Sequence, residues 1–403
     1  MRKSACYFVL LLPFSGIWTG VQAATLTDAI RQSWNASPQI RGQETQASLA
    51  SGDRWRRFIF NEPQFNLANT DDSTALSYGL SLSVGLPGKA IALSKIDSAK
   101  EFQQNSELIG KKQDLAKAIA QTYLDCAGNQ ALARIQDENI RDLSTIQNSL
   151  KFLYESGHSS QSDTIQAELQ LRQAASDFLS LQDRAHVACR KMDDIMIASG
   201  VQEKPELELP DDIDSTLLAD LGSSSGDVRR AESAGRLALA NLDTAGWSQL
   251  PDLTLNAQRN HYLYLPGSPS GKDWANSYAV LVTLPLLFPF HETVEASRIR
   301  SQARIDEATA SLQLASARAD EDDGAREYRR SKARLAELRH KDLSLAEALR
   351  ESVLSAYRSG KVGFADLVLA RKTYSDLKAQ EITLRSSVIN AHLRCLNQCS
   401  VER

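Results

Sequence analysis

Two cysteines are spaced so that they would meet across a helical hairpin. Cys126 precedes Gly157 by 31 residues, and Cys189 follows it by 32. If Gly157 lies at the turn of an antiparallel hairpin, both thiols stand at the same height, and a disulfide forms if their side chains face each other. The sequence therefore predicts either a Cys126–Cys189 disulfide, which an oxidising compartment favours, or a pair of buried free thiols.

A second group of thiols has the spacing of metal ligands. His392, Cys395 and Cys399 fall at positions i, i+3 and i+7, on one face of a helix. Imidazole and thiolate groups in this arrangement bind soft metals. The alternative is a frayed C-terminal helix without a ligand, and this is the interpretation we adopt. We expect neither a metal nor a cofactor.

No constellation in the chain indicates catalysis. The sequence contains no Gly-rich phosphate loop, no His-Glu-x-x-His and no Gly-x-Ser-x-Gly. The adjacent acids Asp193 and Asp194 would point in different directions on a helix, so they do not form a catalytic dyad. The net charge of −4 does not favour nucleic acid. We therefore predict that the protein is not an enzyme.

The N-terminus has the features of an export signal. Arg2 and Lys3 precede an apolar stretch at 6–14. Val21 and Ala23 are small residues at the usual positions before a cleavage site. This pattern predicts a signal peptide at 1–23 that is cleaved after Ala23. Beyond it, no run of 18 apolar residues exists, so the mature chain is either soluble or crosses a membrane by β-strands.

The remaining chain contains two copies of one unit. The segment that starts at Pro63 (Pro-Gln-Phe-Asn-Leu) matches the segment that starts at Pro251 (Pro-Asp-Leu-Thr-Leu). We assign repeat 1 to 24–205, a linker or small peripheral segment to 206–226, and repeat 2 to 227–403. Each repeat is predicted to contain a helix, two strands and a long helical hairpin. The hairpins span about 90–199 with a tip near 157, and about 291–395 with a tip near 360.

The predicted strands, at about 63–86 and 251–285, have one apolar face each. In the first repeat, alternate residues are large and apolar, and those between them are Gly or Ser. Period-2 alternation predicts strands, and a small polar face suits a water-filled lumen. The predicted lipid-facing residues are Tyr78, Leu80, Leu82, Val84, Leu86, Tyr278, Val280, Val282 and Leu284.

A motif at both hairpin tips resembles the TolC family of outer-membrane efflux proteins. It reads Tyr154-x-x-Gly157-x-x-Ser160-x-x-Asp163 in repeat 1. In repeat 2 it reads Tyr357-x-x-Gly360-x-x-Gly363-x-x-Asp366. The resemblance, which extends over essentially the whole mature chain, rests on these motifs and on the repeated order of helix, strand pair and helical hairpin.

The resemblance implies a mainly α fold with a β contribution. Three chains would form a homotrimer with a shared 12-stranded β-barrel in the outer membrane and a helical barrel in the periplasm. The two tips would form the entrance, where a periplasmic adaptor and an inner-membrane pump dock. Asp366 alone would supply the ring of acids at the entrance, because Leu369 stands where many members of the family have a second acid.

The tip residues also have local roles that the pattern predicts. Gly157 and Gly360 suit a helix C-terminus with positive φ. Asp163 and Asp366 are expected in the first turn of a helix, where the dipole stabilises them. We also hypothesise that they bond Tyr357 and Tyr154 across neighbouring tips and hold the entrance shut.

These observations predict a passive outer-membrane exit duct for small solutes, either metal ions or drugs, in a tripartite efflux or secretion system. The alternative is a periplasmic coiled-coil adaptor or scaffold without a pore. An adaptor would have one hairpin instead of two, so the duplication argues against it.

Overall fold

The computed structural model describes residues 25–57, 64–68, 74–84, 87–157, 159–200, 207–247, 252–262, 273–283, 294–359 and 361–399. The predicted signal peptide lies outside these residues.

The first repeat begins with two helices, α1 (Leu26–Ala36) and α2 (Pro38–Arg57). Strands β1 (Gln64–Ala68) and β2 (Thr74–Val84) follow. A long hairpin then consists of α3 (Pro87–Glu155) and α4 (Gln161–Ala198). With 69 residues, α3 is about 100 Å long.

A short helix, α5 (Ser215–Leu221), precedes the second repeat. Helix α6 (Gly226–Trp247) is followed by β3 (Asp252–Tyr262) and β4 (Asp273–Thr283). The second hairpin descends through α7 (Val294–Glu337), a π-helical turn (Leu338–Asp342) and α8 (Leu343–Arg358). It returns through α9 (Phe364–Cys395) and a final 3₁₀ turn (Leu396–Cys399).

The helices begin where the sequence provides starting residues. Thr25 caps α1 and forms a reciprocal capping box with Asp28. Pro38 and Pro87 open α2 and α3, at the position where the missing N–H of proline has no cost. Ser160 caps α4 and accepts a hydrogen bond from the Asp163 N–H at 3.2 Å.

The four strands form one antiparallel sheet in the order β1-β2-β3-β4. Strands β1 and β2 form the hairpin of the first repeat, and β3 and β4 that of the second. The two repeats join where β2 pairs with β3, with Leu82 opposite Leu255. The predicted fold class is confirmed: a mainly helical chain with a small sheet and two repeats of similar element order.

Helix α3 runs through the centre of two successive helical layers. In the half near the sheet it contacts α2 and α6, and α6 contacts α7. In the half near the tips it contacts α4 and α9, while α9 contacts α7 and α8. Ion pairs mark both halves: Lys95 Nζ lies 2.8 Å from Asp243 Oδ2 near the sheet, and Arg371 pairs with Asp142 near the tips.

Small residues allow α7 to approach its neighbours closely. Buried alanines recur every seven residues along it, at Ala296, Ala303, Ala310 and Ala317. The next position in the series is Gly324. A Cβ at Gly324 would lie 3.0 Å from Cβ of Arg394 on α9, which is tighter than ordinary van der Waals contact. This seven-residue spacing keeps one seam of α7 facing its neighbours, and the small side chains there allow close approach.

The π-helical turn was not predicted, since the sequence pattern of the descending arm suggested one uninterrupted α-helix. The turn places Arg339 between two carboxylates. Arg339 Nε donates to Glu381 Oε1 at 2.8 Å, and Nη2 donates to Asp211 Oδ1 at 2.7 Å. A π turn inserts extra backbone into a helix and shifts the faces on either side of it.

The segment between the repeats is packed into the molecule at mid-height. Leu217 and Leu221 of α5 join a buried cluster with Ile30, Tyr123 and Leu393, which come from both repeats. The Tyr123 hydroxyl also donates to the Glu208 carbonyl at 2.8 Å. This segment, predicted as a linker or peripheral element, therefore contributes to the core.

Two adjacent acids fasten this segment to the second hairpin. Asp211 accepts hydrogen bonds from Arg339 of the π turn and from Arg385 of α9. The bond from Arg339, supported by the one from Arg385, lowers the pKa of Asp211 to about 2. Asp211 thus ties this segment to both arms of the second hairpin.

Asp212 lies at the centre of a second network. It contacts His392 Nδ1 at 2.6 Å, accepts from the Tyr328 hydroxyl at 2.8 Å and accepts from Lys332 Nζ at 3.0 Å. Burial by itself would raise the pKa of Asp212, but these hydrogen bonds hold it well below its ordinary value. We call residues 207–214 the strap.

Two disulfides lie within the described part of the chain. Cys126 and Cys189 are bonded across α3 and α4, with Cα atoms 4.6 Å apart. Cys395 and Cys399 are bonded within the C-terminal turn, with Cα atoms 5.7 Å apart. The second bond takes both thiols of the metal-like spacing. Among the described residues, no group of three or more His, Cys, Asp or Glu side chains is placed to hold a metal.

Replacing both Cys126 and Cys189 by Ser should lower thermal stability strongly. This disulfide closes a 63-residue separation, and the loop-entropy relation gives about 4 kcal/mol for such a loop. The matched control replaces Cys395 and Cys399, which are four residues apart, for which the same relation gives about 2 kcal/mol. Differential scanning fluorimetry in detergent should show the larger fall in Tm for the first variant. Equal falls would contradict this account.

Asp211→Asn should lower the Tm at pH 7 and reduce its acid sensitivity. Because the folded pKa of Asp211 is about 2, below its ordinary value of 3.8, the stabilisation is present above about pH 4. It is lost as the pH falls through about 2. Asp177→Asn, at an exposed acid without an ion pair among the described residues, is the control. An Asp211→Asn variant that melts like the wild type at pH 7 would show that the strap ion pairs contribute nothing.

Candidate functional site

The register of the sheet places the predicted apolar residues on one face. Tyr78 lies opposite Leu67, and Leu80 lies opposite both Phe65 and Ala257. On the neighbouring strand, Tyr278 pairs with Ala257. Directly opposed residues in an antiparallel sheet point to the same side, so four strands contribute to one apolar surface. Leu86 and Leu284, also predicted to face lipid, lie outside the described residues.

This apolar face is uncovered in the single chain. Tyr278 is 79% exposed, Phe65 is 67% exposed and Val280 is 66% exposed. Soluble monomers rarely expose a contiguous apolar surface of this kind without a partner or a membrane to cover it.

The opposite face is polar and built from small side chains. On β2 it carries Ser77, Gly79 and Ser81. The register pairs Ser81 with Asn256 and Gly79 with Gln258 of β3. Leu281 of β4 interrupts this face. A sheet with one apolar and one hydrophilic face can separate lipid from water.

Residues that the sequence analysis missed also lie on the apolar face. Arg259 is opposite Tyr78 and Trp274 is opposite His261, near the end of the strands that is distant from the helices. At the helical end, Trp247 terminates α6 and is partly exposed. The irregular alternation around Arg259 concealed its position in the sequence.

At the first tip, Gly157 follows α3 with a φ of +76°. Only glycine adopts this backbone region readily, because a Cβ would crowd the carbonyl oxygen. Ser160 then caps α4, and Asp163 lies in its first turn. These positions are those expected for a tight helical turn.

At the second tip, Gly363 is the N-cap of α9 and Asp366 lies in the first turn. The Gly363 N–H donates to Asp366 Oδ2 at 3.3 Å, so this carboxylate serves the helix of its own tip. Gly360 lies outside the described residues.

The two tips of one chain lie side by side. Leu150 of α3, Ala167 of α4 and Phe364 of α9 form a buried cluster on which Tyr357 packs. Burial, together with the nearby charge of Asp163, raises the pKa of Tyr357. Asp163 and Tyr357 are therefore neighbours, although among the described residues no hydrogen bond joins them. The hypothesis that such bonds cross neighbouring tips stays a prediction.

A buried arginine lies above the tips. Arg371 of α9 is nearly inaccessible and pairs with Asp142 of α3, while burial lowers its pKa to about 10. Arg350 stacks on Tyr374 nearby, with 4.6 Å from the guanidinium carbon to the ring centroid. The Arg371–Asp142 pair connects the two hairpins just above the tips, and the Arg350–Tyr374 contact joins the two arms of the second hairpin. No sequence motif indicated either contact.

In each helical layer, and in the sheet, the two edges are formed by different elements. On one side the edges are α2, α4 and β1, and on the other they are α7, α8 and β4. The edge of α4 exposes Ile165, Leu169 and Val187, and the opposite edge exposes Ile305, Leu312 and Leu345.

Within the described part of the chain, none of the helices combines the length and the apolar character that crossing a bilayer requires.

The fold is shared with solved outer-membrane proteins. The outer membrane protein VceC from Vibrio cholerae has a TM-score of 0.70 and 15% sequence identity, covering 94% of this chain and 96% of that chain. The MtrE outer membrane channel of Neisseria gonorrhoeae, in its open state, has a TM-score of 0.67 and 15% identity, covering 93% and 88%. CusC, studied for folding and transmembrane channel formation, has a TM-score of 0.69 and 14% identity, covering 93% and 91%.

At these identities the similarity establishes the fold, and it confirms the TolC-like fold that the sequence predicts for the single chain. VceC is an outer membrane protein, MtrE is an outer membrane channel, and CusC forms a transmembrane channel. No protein-family profile and no curated protein matches the chain.

Gly157→Ala should destabilise the first tip. A Cβ at this position meets no atom within 4 Å, so the expected cost of about 1 kcal/mol arises from the positive φ alone. The control is Gly42→Ala, at an exposed position inside α2 where a Cβ also meets nothing within 4 Å. There alanine should stabilise by about 0.5–1 kcal/mol. Opposite shifts in Tm are expected, and two shifts of the same sign would contradict the conformational argument.

Proposed function

We propose that this chain is one subunit of a homotrimeric outer-membrane exit duct, through which small solutes, either metal ions or drugs, pass passively across the periplasm and the outer membrane. The observation that carries the proposal is that the sheet and both helical layers end in unlike edges on the same two sides of the chain.

The sheet supports the membrane part of the proposal. Within the described residues, the four-stranded sheet leaves the hydrogen-bonding edges of β1 and β4 unpaired, and unpaired backbone groups cannot lie in lipid. Pairing β4 of one copy with β1 of the next satisfies both edges. The exposed apolar face would then contact lipid, while the Ser-, Asn- and Gln-bearing face would line a water-filled interior.

The helices support the same closure. The apolar residues on α4 differ from those on α7 and α8, so a contact between these edges is heterologous and generates a ring when the rotation closes. Three copies give the 12 strands that the resemblance to the TolC family implies, and they give a tunnel wall of long helices that continues from the strands.

The tips would form the periplasmic entrance and the docking surface. Tyr154, Gly157, Ser160 and Asp163 on the first tip, and Tyr357, Gly360, Gly363 and Asp366 on the second, would contact a periplasmic adaptor, with an inner-membrane pump beyond it. In a trimer, Asp366 would provide three carboxylates at the entrance and favour cations. The chain would perform no catalysis, since selection and energy would come from the pump.

The test is single-channel conductance of the detergent-extracted protein in a planar bilayer, with the oligomeric mass measured alongside. A trimer with cation-biased conductance is expected. Asp366→Asn should move the cation-to-anion permeability ratio towards one, because the entrance loses its fixed negative charges. Asp177→Asn, about four helical turns above the start of α4, should leave the ratio unchanged.

A protein that needs no detergent, remains monomeric and gives no conductance would overturn the proposal. That outcome would favour the alternative, a periplasmic adaptor or scaffold without a pore. Conductance with an unchanged permeability ratio in Asp366→Asn would retain the duct and reject the acid ring.

A further inference from the structure

A cation lies among aromatic rings at the end of the apolar face that is distant from the helices. The guanidinium carbon of Arg259 lies 5.3 Å from the Trp274 ring centroid. The ring centroids of His261 and Trp274 lie 4.6 Å apart. The ring of Tyr78 meets that of Trp274 edge-on, with 5.7 Å between the centroids. Three strands contribute to this group, which we call the distal cluster.

The register shows that the distal cluster shares the surface proposed to face lipid. Arg259 is directly opposite Tyr78 on β2 and Asn276 on β4. Tyr78 begins the apolar series that continues through Leu80 and Leu82. A charged group on such a face is costly in the hydrocarbon centre and tolerated near the interface.

The position of Arg259 along the strand corresponds to an interface. It lies six residues beyond Leu253 on β3, or about 20 Å along the strand at about 3.4 Å per residue. Outer-membrane strands tilt by about 40°, so this length corresponds to about 15 Å along the membrane normal. Arg259 therefore lies towards the distal edge of an apolar band of about 25 Å, which aromatic residues flank at the interface.

The charge of Arg259 is not neutralised by any of the side chains that the structure describes. Its side chain is exposed, and no carboxylate in the described part of the chain forms an ion pair with it. The ring of Trp274, itself 46% exposed, holds the guanidinium by a cation–π contact and leaves its N–H groups free to donate. Arginine donates to phosphate oxygens in a bidentate manner.

We propose that the distal cluster binds the phosphate of an anionic lipid headgroup in the leaflet at this end of the strands. Arg259 donates to the phosphate, and His261 and Asn276 supply further polar contacts. The amphipathic ring of Trp274 lies at the boundary between the headgroup and the acyl chains. The inference rests on the proposed membrane-spanning role of the sheet and adds the chemical class of lipid that this surface selects.

The test uses the full-length protein reconstituted into phosphatidylcholine vesicles, with tryptophan fluorescence as the readout. Brominated phosphatidic acid and brominated phosphatidylcholine are compared as quenchers at equal mole fraction. In the wild type, phosphatidic acid should be enriched roughly fivefold at the quenched site, equivalent to about 1 kcal/mol for one arginine at an anionic surface. Trp274→Phe should remove the excess quenching and so assign it to this ring.

Arg259→Gln should abolish the preference for phosphatidic acid while quenching by phosphatidylcholine persists. The matched control is Arg304→Gln, which removes an equal charge from an exposed position on α7. It should retain the preference. Excess inorganic phosphate should not remove the preference. If it does, the cluster binds free phosphate and not a lipid.

The failures of the two proposals are distinguishable. Equal quenching of the wild type by both lipids would overturn the headgroup site and leave the membrane-spanning sheet intact. Absence of quenching by either lipid would place the sheet outside the bilayer and reject the proposed duct together with this inference.

Discussion

The unpaired edges of the four-stranded sheet are the constraint on which the rest of this structure depends. The outer strands β1 and β4 each present a row of backbone donors and acceptors without partners in the described part of the chain. A chain can satisfy such edges by covering them or by pairing them with another copy. Here the helical layers repeat the asymmetry of the sheet, with α4 on one side and α7 and α8 on the other. A single head-to-tail contact between copies would pair the strand edges and bring together the unlike edges of both helical layers.

The length of α3 makes this continuity possible. One uninterrupted helix passes from the sheet to the first tip, so the two helical layers are coupled by a rigid element. Its partners change at mid-height, from α2 and α6 to α4 and α9. At this level the Cys126–Cys189 disulfide ties α3 to α4, and the strap ties α7 to α9.

The strap adds charged contacts to the apolar packing at mid-height, where the partners of α3 change. Asp211 binds Arg339 and Arg385, and Asp212 binds Lys332 and the imidazole of His392, so each acid contacts both arms of the second hairpin. Several of these groups are partly exposed, so each pair contributes modestly, but the pairs form one network that spans α7, the π turn and α9. Arg371 and Asp142 connect the two hairpins in the same manner nearer the tips.

The sequence by itself determined the elements whose pattern is local and periodic. Strand alternation identified the apolar residues from Tyr78 to Val84, and the absence of proline with the paired glycines located the hairpins. The nearly equal spacing of Cys126 and Cys189 about Gly157 placed them at one height. The tertiary structure decided what depends on contacts without a period. Those contacts are the pairing of β2 with β3, the approach of Asp211 to Arg339 and Arg385 across 128 and 174 residues, and the gathering of Arg259 and Trp274 from separate strands. Local side-chain order carries no information about which distant residue will meet which, because that choice depends on packing of the completed helices and strands.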